Sequence, residues 1–275
     1  MQSYTKDDLL DALDRVGVSS GDVMLVHSAV HSLGVLAGTD FQQIPDALTK
    51  TLLDALGPAG TLIMPAFLYD FPKTGECDLR TAASRVGILT EHFRQREDVL
   101  RSCHPMFSFC GVGPSAAELL RPDAAEYHPF KADSVMGRLH DRNAIIVLLG
   151  VDIRICTYTV YCEYSHGVPY RFDKPFRGRV ISARGDAFAG DFYHFCFPMN
   201  GEIREDYSLA QERLLTDGVL KTSVLGMGRV YAFRAAEYHD SLGRYLESDP
   251  WFLLPGKPGR FYEYVDGEEK VKEVL

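Results

Sequence analysis

"AIIVLLGV" (residues 144–151) is followed, after a short link, by "TYTVYCEYSH" (residues 157–166). The first stretch is a continuous run of Ile, Val and Leu without polar interruption, and reads as a strand buried on both faces, as in a sheet layered between helices. The second brings Thr157, Glu163 and His166 to the mouth of that strand. Coiled as a helix, it sets Glu163 and His166 on one face. In α/β proteins ligands collect beyond the carboxyl ends of such strands, which makes this junction a candidate site.

The flanking sequence repeats the alternation. Thr5 caps a helix whose Leu9, Leu10, Leu13 and Val16 recur at helical spacing, with Gly17 closing it. "DVMLVHS" (22–28) is a second buried strand, "FQQIPDALTKTLLDALG" (41–57) a helix beyond Pro45, and "GTLIMPAF" (60–67) a third strand. "RVGILTEHFRQR" (85–96) and "PSAAELL" (114–120) predict helices on either side of the strand "SFCGVG" (108–113). The pattern predicts an α/β fold with a mostly parallel or mixed central sheet covered by helices. From 167 the texture changes. "RGRVISARGDAFAGDFYHFCF" (177–197) alternates as strands do and carries turn signals at Gly185 and Gly190, which predicts an antiparallel β insertion. A helix over 207–218, paired strands over 220–233 and a closing helix over 235–249 follow. Without repeats or long linkers, the expectation is one domain over 1–275, an α/β core (1–166) with a β-rich insertion and closing elements (167–275).

Composition excludes several classes. At 46% hydrophobic and 24% charged residues the chain is average for a soluble protein, and no apolar run is long enough to span a bilayer. The opening "MQSYTKDDLLDAL" lacks a basic-then-apolar leader, so a cytoplasmic location is expected. Six scattered cysteines without a C-x-x-C pair read as reduced thiols. A net charge of -9 argues against nucleic-acid binding and suits a cationic substrate.

Common catalytic signatures are missing: there is no G-x-S-x-G elbow, no Walker loop and no H-E-x-x-H. "GVGPSAA" (111–117) is a tight turn or an anion site, and "LGMGRVY" (225–231) lacks the third glycine of a dinucleotide loop. Glu163 and His166 would supply only two metal ligands, so no metal is expected. "RFDKPFRGR" (171–179) gathers Arg171, Lys174, Arg177 and Arg179 as a solvated edge or as contacts to substrate phosphates, with Arg171 and Arg177 the candidate substrate residues. "MLVHSAVHSLG" (24–34) and "RSCHPMFS" (101–108) also end apolar strands in polar groups. His27, Ser28, His104 and Glu163 are therefore expected to converge.

Taken in order, "GDVMLVHSAVHSLG" (21–34), "LGPAGTLIMPAF" (56–67), "SRVGILTEHFRQREDVLRSCHPMFSFCGVG" (84–113), "DSVMGRLHDRNAIIVLLGV" (133–151) and "TYTVYCE" (157–163) resemble the aminoglycoside 3-N-acetyltransferase family. The resemblance implies transfer of an acyl group from coenzyme A to an amine. His27, Ser28, Ser102, Ser134 and Thr157 would border the coenzyme, with His104 and Glu163 at the chemistry. In the family the stretch matching 157–163 reads T-x-x-H-x-x-E with a catalytic histidine, whereas here that position is Val160. Valine cannot accept a proton. The expected base is then Glu163, helped by His166. Loss of the histidine and the basic run at 171–179 point to a nucleotide-linked amino sugar as acceptor. The alternatives are an aminoglycoside 3-N-acetyltransferase and a non-catalytic sugar-binding protein. Acyl-CoA and a small amine are thus the expected partners, with a homo-oligomer possible.

Overall fold

The computed structural model describes residues 3–273. Its first half runs β1 (Ser3–Tyr4), α1 (Lys6–Arg15), β2 (Val23–Ser28), β3 (Val35–Leu36), α2 (Ile44–Leu56), β4 (Thr61–Pro65), α3 (Phe71–Thr74) and β5 (Glu76–Asp78). Next come α4 (Ile88–Arg94), β6 (Leu100–Arg101), β7 (Phe109–Val112), α5 (Ala116–Leu120), α6 (Val135–Asp141) and β8 (Ile145–Leu149). The chain then forms α7 (Thr157–His166), β9 (Phe172–Ile181), β10 (Ala187–Cys196) and α8 (Ser208–Thr216). It closes with β11 (Lys221–Leu225), β12 (Gly228–Arg234), α9 (Ala235–Ser248), β13 (Arg260–Val265) and β14 (Glu268–Glu273).

Seven strands form the central sheet in the order β11-β12-β8-β2-β4-β7-β6. Its middle is parallel: β2 runs with β8 from Met24↔Ile145 to Ser28↔Leu149 and with β4 from Val23↔Thr61. The outer strands β12 and β7 are antiparallel to it, so the sheet is mixed. All five residues of β8 are buried, as its composition dictates. Their side chains alternate: Ile146 and Leu148 enter one apolar layer, and Ile145, Val147 and Leu149 the other. Burial of each such side chain is worth about 2 kcal/mol, so sliding β8 by one residue, which exchanges every side chain between layers, is strongly opposed.

The same alternation along β2 places Leu25 in the first layer and Met24 and Val26 in the second. His27 therefore faces the layer of Leu25, and Ser28 ends the strand on the opposite face. The layer on the His27 side is roofed by α6, α7, α9 and the β9–β10 hairpin, which pairs from Phe172↔Cys196 to Ile181↔Ala187 and accepts β5 as a third, parallel strand. Strands from beyond residue 167 thus complete the central sheet, while β5 from the first half completes the hairpin sheet.

Gly185 lies in the turn between β9 and β10, with φ of 100°. Gly190 is not a turn residue. It sits inside β10 opposite Gly178, and a Cβ there would meet the Tyr127 ring at 2.8 Å. Its role is to admit an aromatic neighbour against the strand. In 111–117, α5 has only five residues, and Gly113 (φ 122°) lets the turn pass the backbone of Gly60, so a tight turn describes this stretch. The segment from Arg260 folds as the β13–β14 hairpin, the last two residues of the sequence lying outside the described residues. Among the described residues, no helix is long and apolar enough to cross a membrane. All six cysteines are free thiols.

Candidate active site

A cavity of about 260 Å³ lies at the carboxyl ends of β2 and β4. The central sheet contributes His27, Ser28 and Pro65, and the loop beyond β4 adds Phe67 and Tyr69. The first turn of α7 and the link before it present Arg154, Ile155, Cys156, Thr157 and Val160. From the far side come Arg171, His194, Glu205 and Tyr207. Beside it runs a larger groove of about 580 Å³ with mainly apolar walls, among them Val35, Phe41, Ile44, Ile88, Leu89 and Met227. Ser28 and Val86 line both spaces, Ser28 as the last residue of β2, where the two spaces meet. Phe41, Ile88 and Met227 are among the chain's exposed large apolar side chains.

Two imidazoles reach the cavity. His27 is buried, its Nε2 has no hydrogen-bond partner among the described residues, and burial pushes its pKa down to about 4. His194 is likewise pushed down to about 4, by burial and then by the charge of Arg171. Its ring rests 4.8 Å, centroid to centroid, from Phe107. The sequence reading missed His194 because it looked for imidazoles at the ends of core strands, and this one lies within a hairpin. The alternation of "DFYHFCF" did identify a strand, but not which of its faces meets a cavity.

The predicted residues divide sharply. His27, Ser28, Thr157 and Arg171 line the cavity. Glu163 does not: it is wholly buried beneath the wall, where the hydroxyl of Tyr170 donates to Oε1 (2.9 Å) and that of Tyr207 to Oε2 (3.3 Å). Arg171 Nε stands 3.0 Å from Oε2 as an ion pair whose angle falls short of a hydrogen bond. Burial raises the Glu163 pKa, opposed first by Arg171. Glu163 therefore orients Arg171, whose guanidinium also donates to Tyr207 (3.1 Å) and lies 3.8 Å over the Phe197 ring. A carboxylate sealed in this way has no path to a substrate proton.

His166 is at the other end of α7, turned to α9. Its ring packs 4.4 Å from His239 and against Gly243, where a Cβ would come within 2.3 Å. It cannot assist at the cavity. His104 Nδ1 accepts from the amides of Met106 (3.1 Å) and Phe107 (2.9 Å), shaping the turn that delivers Phe107 to the cavity wall. Burial and the neighbouring His194 push its pKa down to about 3. Ser102 Oγ accepts from the Phe109 amide (2.9 Å), and Ser134 caps α6 through the Gly137 amide. Neither lines the cavity.

The basic run does not converge. Lys174 pairs with Glu269 (2.8 Å), and the Arg177 side chain is 88% exposed beside Asp191, outside the cavity lining. With Arg171 held by Glu163 and Arg154 by Asp152 (2.7 Å), the lining retains one carboxylate, Glu205, that pairs with no cation among the described residues. No group of three or more metal-ligating side chains occurs among those residues.

Residues 25–247 match the model of the aminoglycoside 3-N-acetyltransferase family. The chain is 30% identical over 257 residues to aminoglycoside N(3)-acetyltransferase IV of Salmonella sp, covering 93% of each chain. It is 30% identical over 181 residues to aminoglycoside N(3)-acetyltransferase IX of Micromonospora chalcea, covering 59% of this chain and 61% of that one. Among solved structures it superposes on apo aminoglycoside acetyltransferase AAC(3)-IVa with a TM-score of 0.72 at 26% identity, covering 92% of both. AAC-IIIb in binary complex with CoASH gives a TM-score of 0.75 at 21% identity, covering 93% of this chain and all of the other, a likeness of fold. A model match over most of the chain and a full-length relative agree with the layered sheet and its cavity: the chain belongs to the aminoglycoside 3-N-acetyltransferase family of coenzyme A-dependent N-acyltransferases.

Proposed function

We propose that the protein transfers an acetyl group from acetyl-coenzyme A to an amine of an aminoglycoside. The observation that carries this is the charge of the cavity: its arginines are neutralised by Glu163 and Asp152, and the one charged group of the lining without a partner among the described residues, Glu205, is negative. Such a lining favours an ammonium-bearing acceptor over a diphosphate. Of the basic run that suggested a nucleotide-linked sugar, Arg171 alone lines the cavity and it is paired with Glu163, which weakens the case for that acceptor. Relatives named as aminoglycoside acetyltransferases, and an AAC(3)-IVa variant solved in complex with a gentamicin, lend weight to the same acceptor class.

The apolar groove fits the pantetheine arm of the coenzyme, with Phe41, Ile88 and Met227 along the arm and Ser28 where groove and cavity meet. The coenzyme supplies an activated thioester carbonyl. As its oxygen gains negative charge, the first turn of α7 at Thr157 offers the positive end of a helix dipole. Glu205 and the Tyr207 hydroxyl hold the acceptor from the opposite wall.

Coenzyme A release from acetyl-CoA, measured with gentamicin, apramycin and a nucleotide-linked amino sugar, tests the reading. Turnover with the aminoglycosides is expected. Turnover confined to the nucleotide sugar overturns it.

A further inference from the structure

We propose that His194, on β10 of the hairpin, is the general base that takes the proton of the attacking amine, in place of the imidazole absent at Val160. The inference rests on the N-acyltransferase reading above and adds to it the residue that drives the chemistry.

Helix α7 still turns the Val160 position toward the cavity, so the loss of the imidazole there is a loss within the reaction space. Every other basic group is engaged or misplaced. Glu163 is sealed behind Arg171 and Tyr207, and His104 Nδ1 accepts two backbone amides behind Phe107. His27 precedes Ser28 at the end of β2, across the cavity from the wall that carries Arg171, Glu205 and Tyr207, and its Nε2 is itself fully buried. His194 lines the cavity with Arg171, Glu205 and Tyr207, the groups placed to receive the acceptor. No hydrogen bond or ion pair engages its ring among the described residues. The ring is positioned nonetheless: β10 is paired with β9 along its whole length, His194 opposite Lys174, and Phe107 packs against the imidazole.

In the step, the acceptor nitrogen forms a bond to the thioester carbonyl carbon as the carbon–sulfur bond breaks. The nitrogen's proton passes to His194, and from there to the departing thiolate, which leaves as the free thiol. Burial and the Arg171 charge keep the ring neutral beforehand, with a lone pair free, and make the imidazolium a ready donor to sulfur.

The test is steady-state kinetics of the full-length protein with acetyl-CoA and gentamicin, comparing wild type with His194→Gln and His194→Ala, each checked for folding by its melting curve. The expected result is a fall in kcat of about 10² to 10⁴ with both KM values within about threefold, the range for loss of a positioned base. Added imidazole should restore part of the rate to His194→Ala, and Val160→His should restore part of it in the His194→Gln background. Unchanged kcat in folded His194 variants overturns the proposal while leaving the acyltransferase reading intact. A fall that neither imidazole nor Val160→His reverses assigns His194 to packing and also overturns it. If wild type acetylates no amine at all, the underlying reading fails first.

Discussion

Replacing Glu163 by Gln separates a supporting carboxylate from a reacting one. Glu163 has no exposed surface and the Arg171 side chain is 8% exposed, so removing the negative charge strands a guanidinium in a site screened from water. Breaking a buried pair from one side costs about 3–5 kcal/mol, and Gln can still accept from Tyr170, which argues for the lower end, about 3 kcal/mol. For a chain of this size that is a fall in melting temperature of about 6–12 °C. Arg171 loses its anchor on the cavity wall, so kcat should drop about tenfold rather than a thousandfold. The pair Glu163→Leu with Arg171→Met should recover most of the lost stability, because apolar replacement of both ions avoids the stranded charge. A double-mutant cycle by urea denaturation then gives the coupling. If Glu163→Gln melts with wild type yet loses kcat by a thousandfold or more, the carboxylate takes part in proton transfer and the burial argument is wrong.

Folding stability should rise with pH between about 5 and 7. His27, His104 and His194 are held neutral with pKa values pushed from 6.5 to about 4, 3 and 4, so the unfolded chain binds protons in this window that the folded chain does not. The combined slope is at most about 4 kcal/mol per pH unit, and urea titrations of His104→Gln should show a shallower one. Ile88→Asp in the apolar groove should raise KM for acetyl-CoA about tenfold and leave KM for the amine alone; equal effects on both would dissociate the groove from the coenzyme. Gly243→Ala should cost about 1–3 kcal/mol in a melting assay by driving a methyl into the His166 ring, with kcat in the surviving fold unchanged.

The layered sheet could be read from sequence because its determinants are local. Val23–Ser28, Thr61–Pro65 and Ile145–Leu149 are short apolar runs that only a doubly covered sheet can bury. The helix at 157–166 was only a supposition in the sequence, made to place Glu163 and His166 on one face, and the structure forms it as α7. What failed was direction. Glu163 and His166 share a helix, but which way each points depends on α9 and the hairpin, and no spacing along 157–166 reports those. The arginines at 171–179 are close in sequence, but Arg171 lies just before β9 at the cavity while Arg177 is six residues further along, about 20 Å of extended strand. His194 was invisible for the converse reason, since its partners Phe107 and Arg171 are distant in the chain. Gly190 resembled a turn because glycine marks both tight turns and places where a ring must approach a strand.

The β9–β10 hairpin meets the core mainly through β5 and aromatic side chains, yet it supplies His194, while Arg171 and Tyr207 lie in the segments leading into and out of it. On the proposed reading, the thioester side belongs to the sheet and the amine side to this appended ribbon. Evolution or an engineer could then exchange the ribbon and retune acceptor choice and proton transfer together, while the half that holds the acyl donor stays as it is.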